Sequence, residues 1–125
     1  FARQWPELAL VIDHGAKPAI AQAQWAPWAD GLARLARETG AVCKLSGLLT
    51  EAGPSPAPDA AQRWAAWILQ VFGPERVLWG SDWPVLELAG TYVGWWQSVQ
   101  ALLAPFTPAQ REQVLGGNAR RVYRL

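Results

Sequence analysis

The 125-residue sequence contains no methionine, one cysteine and one histidine. The lone thiol, Cys43, excludes a disulfide within the chain and any zinc site built on cysteines. The lone imidazole, His14, excludes a cluster of histidines. An excess of charge is missing too, since 11 Lys and Arg stand against 10 Asp and Glu. No basic footprint is therefore offered to nucleic acid or an anionic membrane. Apolar runs are short: Leu8 to Ile12, for example, falls far below the ~20 residues that span a bilayer, and no charged-then-apolar leader precedes it. A cytoplasmic protein with neither nucleic acid nor membrane as partner is the expectation. With no methionine even at position 1, the sequence is also expected to begin inside a longer protein.

Present in quantity are apolar residues (51%) and nine tryptophans, enough for one globular domain over residues 1–125 with a substantial core. Leu8 to Asp13 is a continuous apolar run closed by His14-Gly15 and reads as a strand buried on both faces. Trp25, Trp28, Leu32 and Leu35 recur at helical spacing behind Pro27 until Gly40 stops them. Ala41 to Leu45 is a second strand, and the following "LLTEAGPSPAPD" reads as a long loop. Asp59 and Gln62 have capping-box spacing before a helical face of Trp64, Trp67, Ile68 and Val71, which Gly73-Pro74 ends. Arg76 to Trp79 is a third strand. A helix over Thr91–Leu103 follows, then a short one capped by Thr107, Pro108 and Gln110 to Leu115, and a last one capped by Asn118.

The strands begin about 33 and 35 residues apart with a helix in each interval, the pattern of parallel βαβ units, and close to the roughly 31 residues per unit of a (β/α)8 barrel. The fold expected is α/β, about three βα units, fewer than either a barrel or a doubly wound sheet needs. Each strand delivers polar residues at its C-terminal end, in "DHG", "KLSG" and "GSDWP", the edge at which parallel sheets bind ligands. Alternation puts Asp82 on a face with Gly80 and Leu78, His14 with Ile12 and Leu10, and Lys44 with Val42 and Ser46.

Taken singly, these residues have structural readings. A histidine at a strand end is more often structural than a ligand, "SD" ahead of a helix is commonly a cap, and Lys44 more often reaches a solvated edge or a carboxylate. Asp13 is expected to bind backbone N–H groups behind the histidine, and Trp83 and Pro84 to shape a loop. Together, an aspartate and an imidazole at one rim can orient a water, take its proton and polarise a carbonyl, and both are common metal ligands. Phosphate-binding glycine loops and the G-x-S-x-G elbow are lacking, which removes the dinucleotide, nucleotide and serine-hydrolase classes.

"LVIDHGAKP", "VCKLSGLLTE", "RVLWGSDWPV" and the terminal "GGNARRVYRL" resemble, in order and spacing, the last third of amidohydrolase-related proteins of the second amidohydrolase family, the sugar-lactone and pyrone-dicarboxylate lactonases among them. The resemblance covers nearly the whole chain. It implies the C-terminal part of a TIM-type barrel, with strands six, seven and eight at "VID", "VCKL" and "RVLW". It further implies Asp82 as general base or metal ligand and His14 as contact to metal, water or substrate carbonyl. Lys44, Ser46 and Trp83 are candidate substrate contacts. One divalent metal of zinc type is implied for some members and none for others. A departure is "HGAKP", where relatives usually carry a leucine after the histidine. The family's His-x-His after strand one and its residues after strands four and five have no counterpart. Since zinc normally takes at least three protein ligands, His14 and Asp82 are not expected to form a tight site alone.

The leading expectation is thus part of a hydrolase acting on a small lactone or cyclic ester. The contrasting one is a non-catalytic truncated product or a small α/β binding module. Outer strands without neighbours also lead us to expect self-association through exposed sheet edges.

Overall fold

The computed structural model describes residues 4, 5 and 7–125. Three short strands, β1 (Val11–Ile12), β2 (Val42–Leu45) and β3 (Val77–Trp79), form one parallel sheet in the order β1-β2-β3. Val11 pairs with Val42 and Ile12 with Cys43, while Cys43, Lys44 and Leu45 pair with Val77, Leu78 and Trp79. β1 is shorter than the run from Leu8 to Asp13 suggested, although the Val42 N–H still reaches the Leu10 carbonyl at 3.0 Å.

Parallel strands need crossover connections, here helical ones. Helix α1 (Ala26–Glu38) carries Pro27 in its first turn and buries Ala29, Leu32 and Ala36. Leu35, expected on the buried face, is exposed. Residues Leu48–Glu51, expected in a loop, form a short helix α2, because Leu48 and Leu49 are drawn into the core. Helix α3 (Gln62–Phe72) buries Trp64, Ala65, Ile68, Leu69 and Phe72. The capping box expected at Asp59 does not form: α3 starts behind Ala61 with no side-chain cap, and Asp59 contributes its backbone carbonyl to the Gln62 N–H.

Helix α4 (Tyr92–Leu103) is capped by the Thr91 hydroxyl. α5 (Pro108–Glu112) has the expected capping box of Thr107 and Gln110, and a π-helical turn at Gln113–Gly117 leads into α6 (Asn118–Tyr123). Asn118 does not cap α6. Buried, it donates from Nδ2 to the carbonyls of Pro74 and Val77, pinning the C-terminal segment under β3.

The main core lies between one face of the sheet and the helices. Cys43, Leu45 and Val77 belong to it, with Leu10, Ile12 and Trp79 packed against it. Four tryptophans, Trp25, Trp28, Trp64 and Trp67, join α1 to α3 with ring centroids 4.9 to 5.8 Å apart. By alternation, Val42, Lys44, Ser46, Leu78 and Gly80 point to the second face of the sheet. None of the described helices is long and apolar enough to cross a membrane.

Candidate active site

Strict alternation would turn His14 the wrong way. Ile12 is paired with Cys43 and packs with it on the helix side, so Asp13 belongs to the second face and His14 would return to the helices. Instead the chain leaves β1 through a left-handed turn: His14 (φ 45°, ψ 42°), Gly15 (φ 55°, ψ 26°), Ala16 (φ 60°) and Lys17 (φ 48°). The Lys17 N–H closes it on the His14 carbonyl at 2.9 Å.

Left-handed backbone costs a residue with a Cβ about 1–2 kcal/mol, so such a run must be held from outside. Gly15 is the anchor. It is buried where a Cβ would lie 2.7 Å from Ile68 Cδ1, and Trp28 Nε1 donates to its carbonyl at 2.7 Å. With Gly15 taking the helix side, the imidazole swings over the C-terminal edge of the sheet. Asp82 is turned in the same way, at φ 60° just beyond β3. Its carbonyl accepts from the Leu86 N–H at 2.9 Å, and Trp95 Nε1 donates to the Gly80 carbonyl at 3.0 Å, holding the exit of the strand.

The two turns meet. His14 Nδ1 is 2.9 Å from Ser46 Oγ, and Nε2 is 3.6 Å from Asp82 Oδ1 and 3.5 Å from Asp13 Oδ2. The ring rests on Gly47 (φ 64°), where a Cβ would lie 2.7 Å from His14 Cγ and Nδ1. The other Asp13 oxygen is 3.1 Å from Lys44 Nζ. Partial burial acts to raise the Asp13 pKa, but the Lys44 hydrogen bond, the charges of His14 and Lys44 and the His14 N–H outweigh it and hold the carboxyl below its ordinary value. Lys44 is raised, first by its hydrogen bond to Asp13 against some desolvation, then by the charge of Asp13 and by Tyr123. Asp13 and Lys44 are therefore a charged pair at neutral pH. Cys43, one position away on the opposite face, is pushed up to about 12 by burial and stays an unreactive thiol.

His14 and Asp82 border one cavity of about 150 Å³, together with Lys17, Gly47, Thr50, Glu51 and Val85. The other sequence candidates stand elsewhere. Ser46 is 2% exposed and faces the imidazole. Lys44 is turned to Asp13. Trp83 is 64% exposed, and its indole N–H donates to Glu87 Oε1 at 3.1 Å. Asp13, expected to bind backbone N–H groups behind the histidine, accepts from the His14 N–H and also links Lys44 to the imidazole. Sequence reasoning missed Gly47 and the rim pair of Lys17 and Glu51, 3.8 Å apart. The only signal for Gly47 was its place after a polar strand end, in "KLSG".

Among the described residues, no group of three or more His, Cys, Asp or Glu side chains is arranged to hold a metal ion. His14 and Asp82 alone fall short of the three or four ligands zinc takes.

Known proteins are similar to this chain in sequence and fold. The family model of the amidohydrolases matches residues 1–125. An L-fucono-1,5-lactonase from Burkholderia ambifaria is 42% identical over 129 residues, a stretch that takes in 100% of this chain and 44% of the relative. A second L-fucono-1,5-lactonase, from Burkholderia multivorans, is 37% identical over 131 residues, covering 93% of this chain and 43% of the relative. Among solved structures, an amidohydrolase from Burkholderia multivorans with bound zinc superposes with a TM-score of 0.88 at 36% identity, covering 100% of this chain and 47% of that one. The chain thus spans less than half the length of these relatives. Matched by the family model from its first residue to its last, the chain belongs to the amidohydrolase family.

Proposed function

We propose that the chain supplies the last three βα units of a (β/α)8 barrel hydrolase that opens a lactone or cyclic ester. Asp82 acts as general base on the attacking water, and His14 orients that water or polarises the carbonyl. The observation that carries this reading is the convergence of His14 Nε2 and Asp82 Oδ1, 3.6 Å apart, on one cavity at the C-terminal edge of a parallel sheet. Both residues sit on left-handed backbone, the kind of local strain that functional sites concentrate.

The reaction needs little beyond these groups. The Asp82 carboxylate takes a proton as the water oxygen bonds to the carbonyl carbon, and the Nε2 side of His14 offers a hydrogen bond to the oxygen on which charge develops. The ring C–O bond then breaks, the leaving oxygen takes the proton back from Asp82, and a hydroxy acid results. A cavity of about 150 Å³ is below the ~300 Å³ at which small-molecule pockets usually begin. The remaining walls would come from further barrel units of a longer protein. A divalent metal would likewise need ligands from outside this chain, and no step above depends on one.

The lactonase relatives suggest the probe. With the native gene product and L-fucono-1,5-lactone, acid release should be catalysed, and Asp82→Asn should lower kcat roughly 100-fold or more with an unchanged melting profile. Undiminished turnover in the variant removes Asp82 from the chemistry. A wild-type protein inert towards sugar and aromatic lactones alike overturns the hydrolase reading in favour of a binding module.

A further inference from the structure

We infer that Ser46 is a positioning residue that donates to His14 Nδ1 and so, together with Asp13 and Asp82, holds the imidazole in the tautomer that presents an N–H, not a lone pair, from Nε2 towards Asp82 and the cavity. For any effect on turnover this rests on the reading of His14 as a catalytic residue; the tautomer itself does not.

A neutral imidazole carries one N–H and one lone pair, and the hydrogen bond at one nitrogen decides what the other offers. Ser46 Oγ lies 2.9 Å from His14 Nδ1. A hydroxyl can donate or accept, so this contact permits both tautomers. The surroundings of Nε2 choose between them. At 3.5 Å stands Asp13 Oδ2 and at 3.6 Å Asp82 Oδ1, both of them acceptors when ionised. A lone pair on Nε2 would face negative charge on two sides, whereas an N–H is attracted to both. Nε2 therefore holds the proton, Nδ1 accepts, and the Ser46 O–H donates.

The packing keeps this choice in place. Ser46 is 2% exposed, so water competes little for its hydroxyl. The chain leaving β3 passes close by at Gly80, where a Cβ would sit 3.3 Å from that of Ser46. Gly47 lies against the imidazole itself, leaving no room for a Cβ beside Cγ and Nδ1. The consequence is chemical. His14 can donate a hydrogen bond to a substrate carbonyl or to Asp82 without being charged, whereas a metal at Nε2 would require the lone pair there and a Ser46 hydroxyl turned to accept from Nδ1–H.

The test uses the native gene product labelled with 15N-histidine, the His14 signals being identified by their loss in His14→Gln. Two-bond 1H–15N correlations, taken at a pH where the ring is neutral, should show a protonated Nε2 and an unprotonated Nδ1. In Ser46→Ala the pattern should move to a mixture of tautomers and kcat should fall several-fold with KM little changed, and Ser46→Thr should restore both. A proton on Nδ1 in the wild type, or a pattern indifferent to Ser46→Ala, overturns the inference. Should Ser46→Ala fail to fold, Ser46→Cys, close in size and a weaker donor, takes its place with the same two outcomes. A protein that keeps the tautomer pattern yet hydrolyses no lactone retains this inference and loses the proposed reaction.

Discussion

Gly47 and His14 share a contact that leaves no space for a side chain. A Cβ at Gly47 would lie within 2.9 Å of three His14 atoms, two of them in the ring, and the backbone there has φ 64°. Gly47→Ala should therefore do two things: destabilise by about 1 kcal/mol or more through strain at a left-handed position, and push the imidazole off Ser46. The first is read by denaturant unfolding and the second by the His14 15N pattern. An unshifted pattern would show that the ring does not depend on this cradle. Both partners in the contact were differently visible in the sequence. His14 and Asp82 could be picked out because polar residues closing apolar strands are conspicuous, and the structure brings those two together. Their geometry could not be read, because the alternation rule fails at His14, where the left-handed turn moves the ring across the sheet. The turn in turn depends on Trp28 and Ile68, which are remote in sequence and contribute through packing.

At the scale of elements, periodicity identified the three strands and the long helices because each has a repeating apolar face, and local capping chemistry identified α5, where Thr107 and Gln110 close their box. Where a residue's role is tertiary, the same rules misled. "LLTE" looked like loop because prolines and glycine follow it, yet two leucines entering the core make it helical. Asn118 has the composition of a cap but bridges two carbonyls 41 and 44 residues away, at 2.8 and 2.6 Å. Asn118→Ala should thus cost more than a lost cap. It would leave the Val77 and Pro74 carbonyls short of a donor in a buried place, about 1–3 kcal/mol. Equilibrium unfolding of the variant measures it, and a loss of under about 0.5 kcal/mol, the range of ordinary surface substitutions, would mean that water replaces the amide there.

For the whole molecule, the question is what lies against the outer strands. Among the described residues only β2 is paired on both sides, and unpaired strand edges are templates for further pairing. Beyond β3, Val85, Leu88, Tyr92 and Val93 are exposed, Leu88 at 78%, and the Trp79 indole N–H is buried without a partner among the described residues. On the proposed reading, this is the side that further barrel strands would cover in a longer protein. Produced as 125 residues alone, the chain should then use a second copy of itself as the substitute. Its melting midpoint should rise with concentration, as for any fold stabilised by association, and sedimentation should show species above 13.7 kDa. Joining the upstream barrel units of the native gene product should remove both effects. A sharp, concentration-independent transition from a monomer would mean instead that three βα units bury enough surface to stand alone. The exposed apolar side beyond β3 would then be an ordinary surface of a small α/β domain, and the case for a completed barrel would lose its structural support.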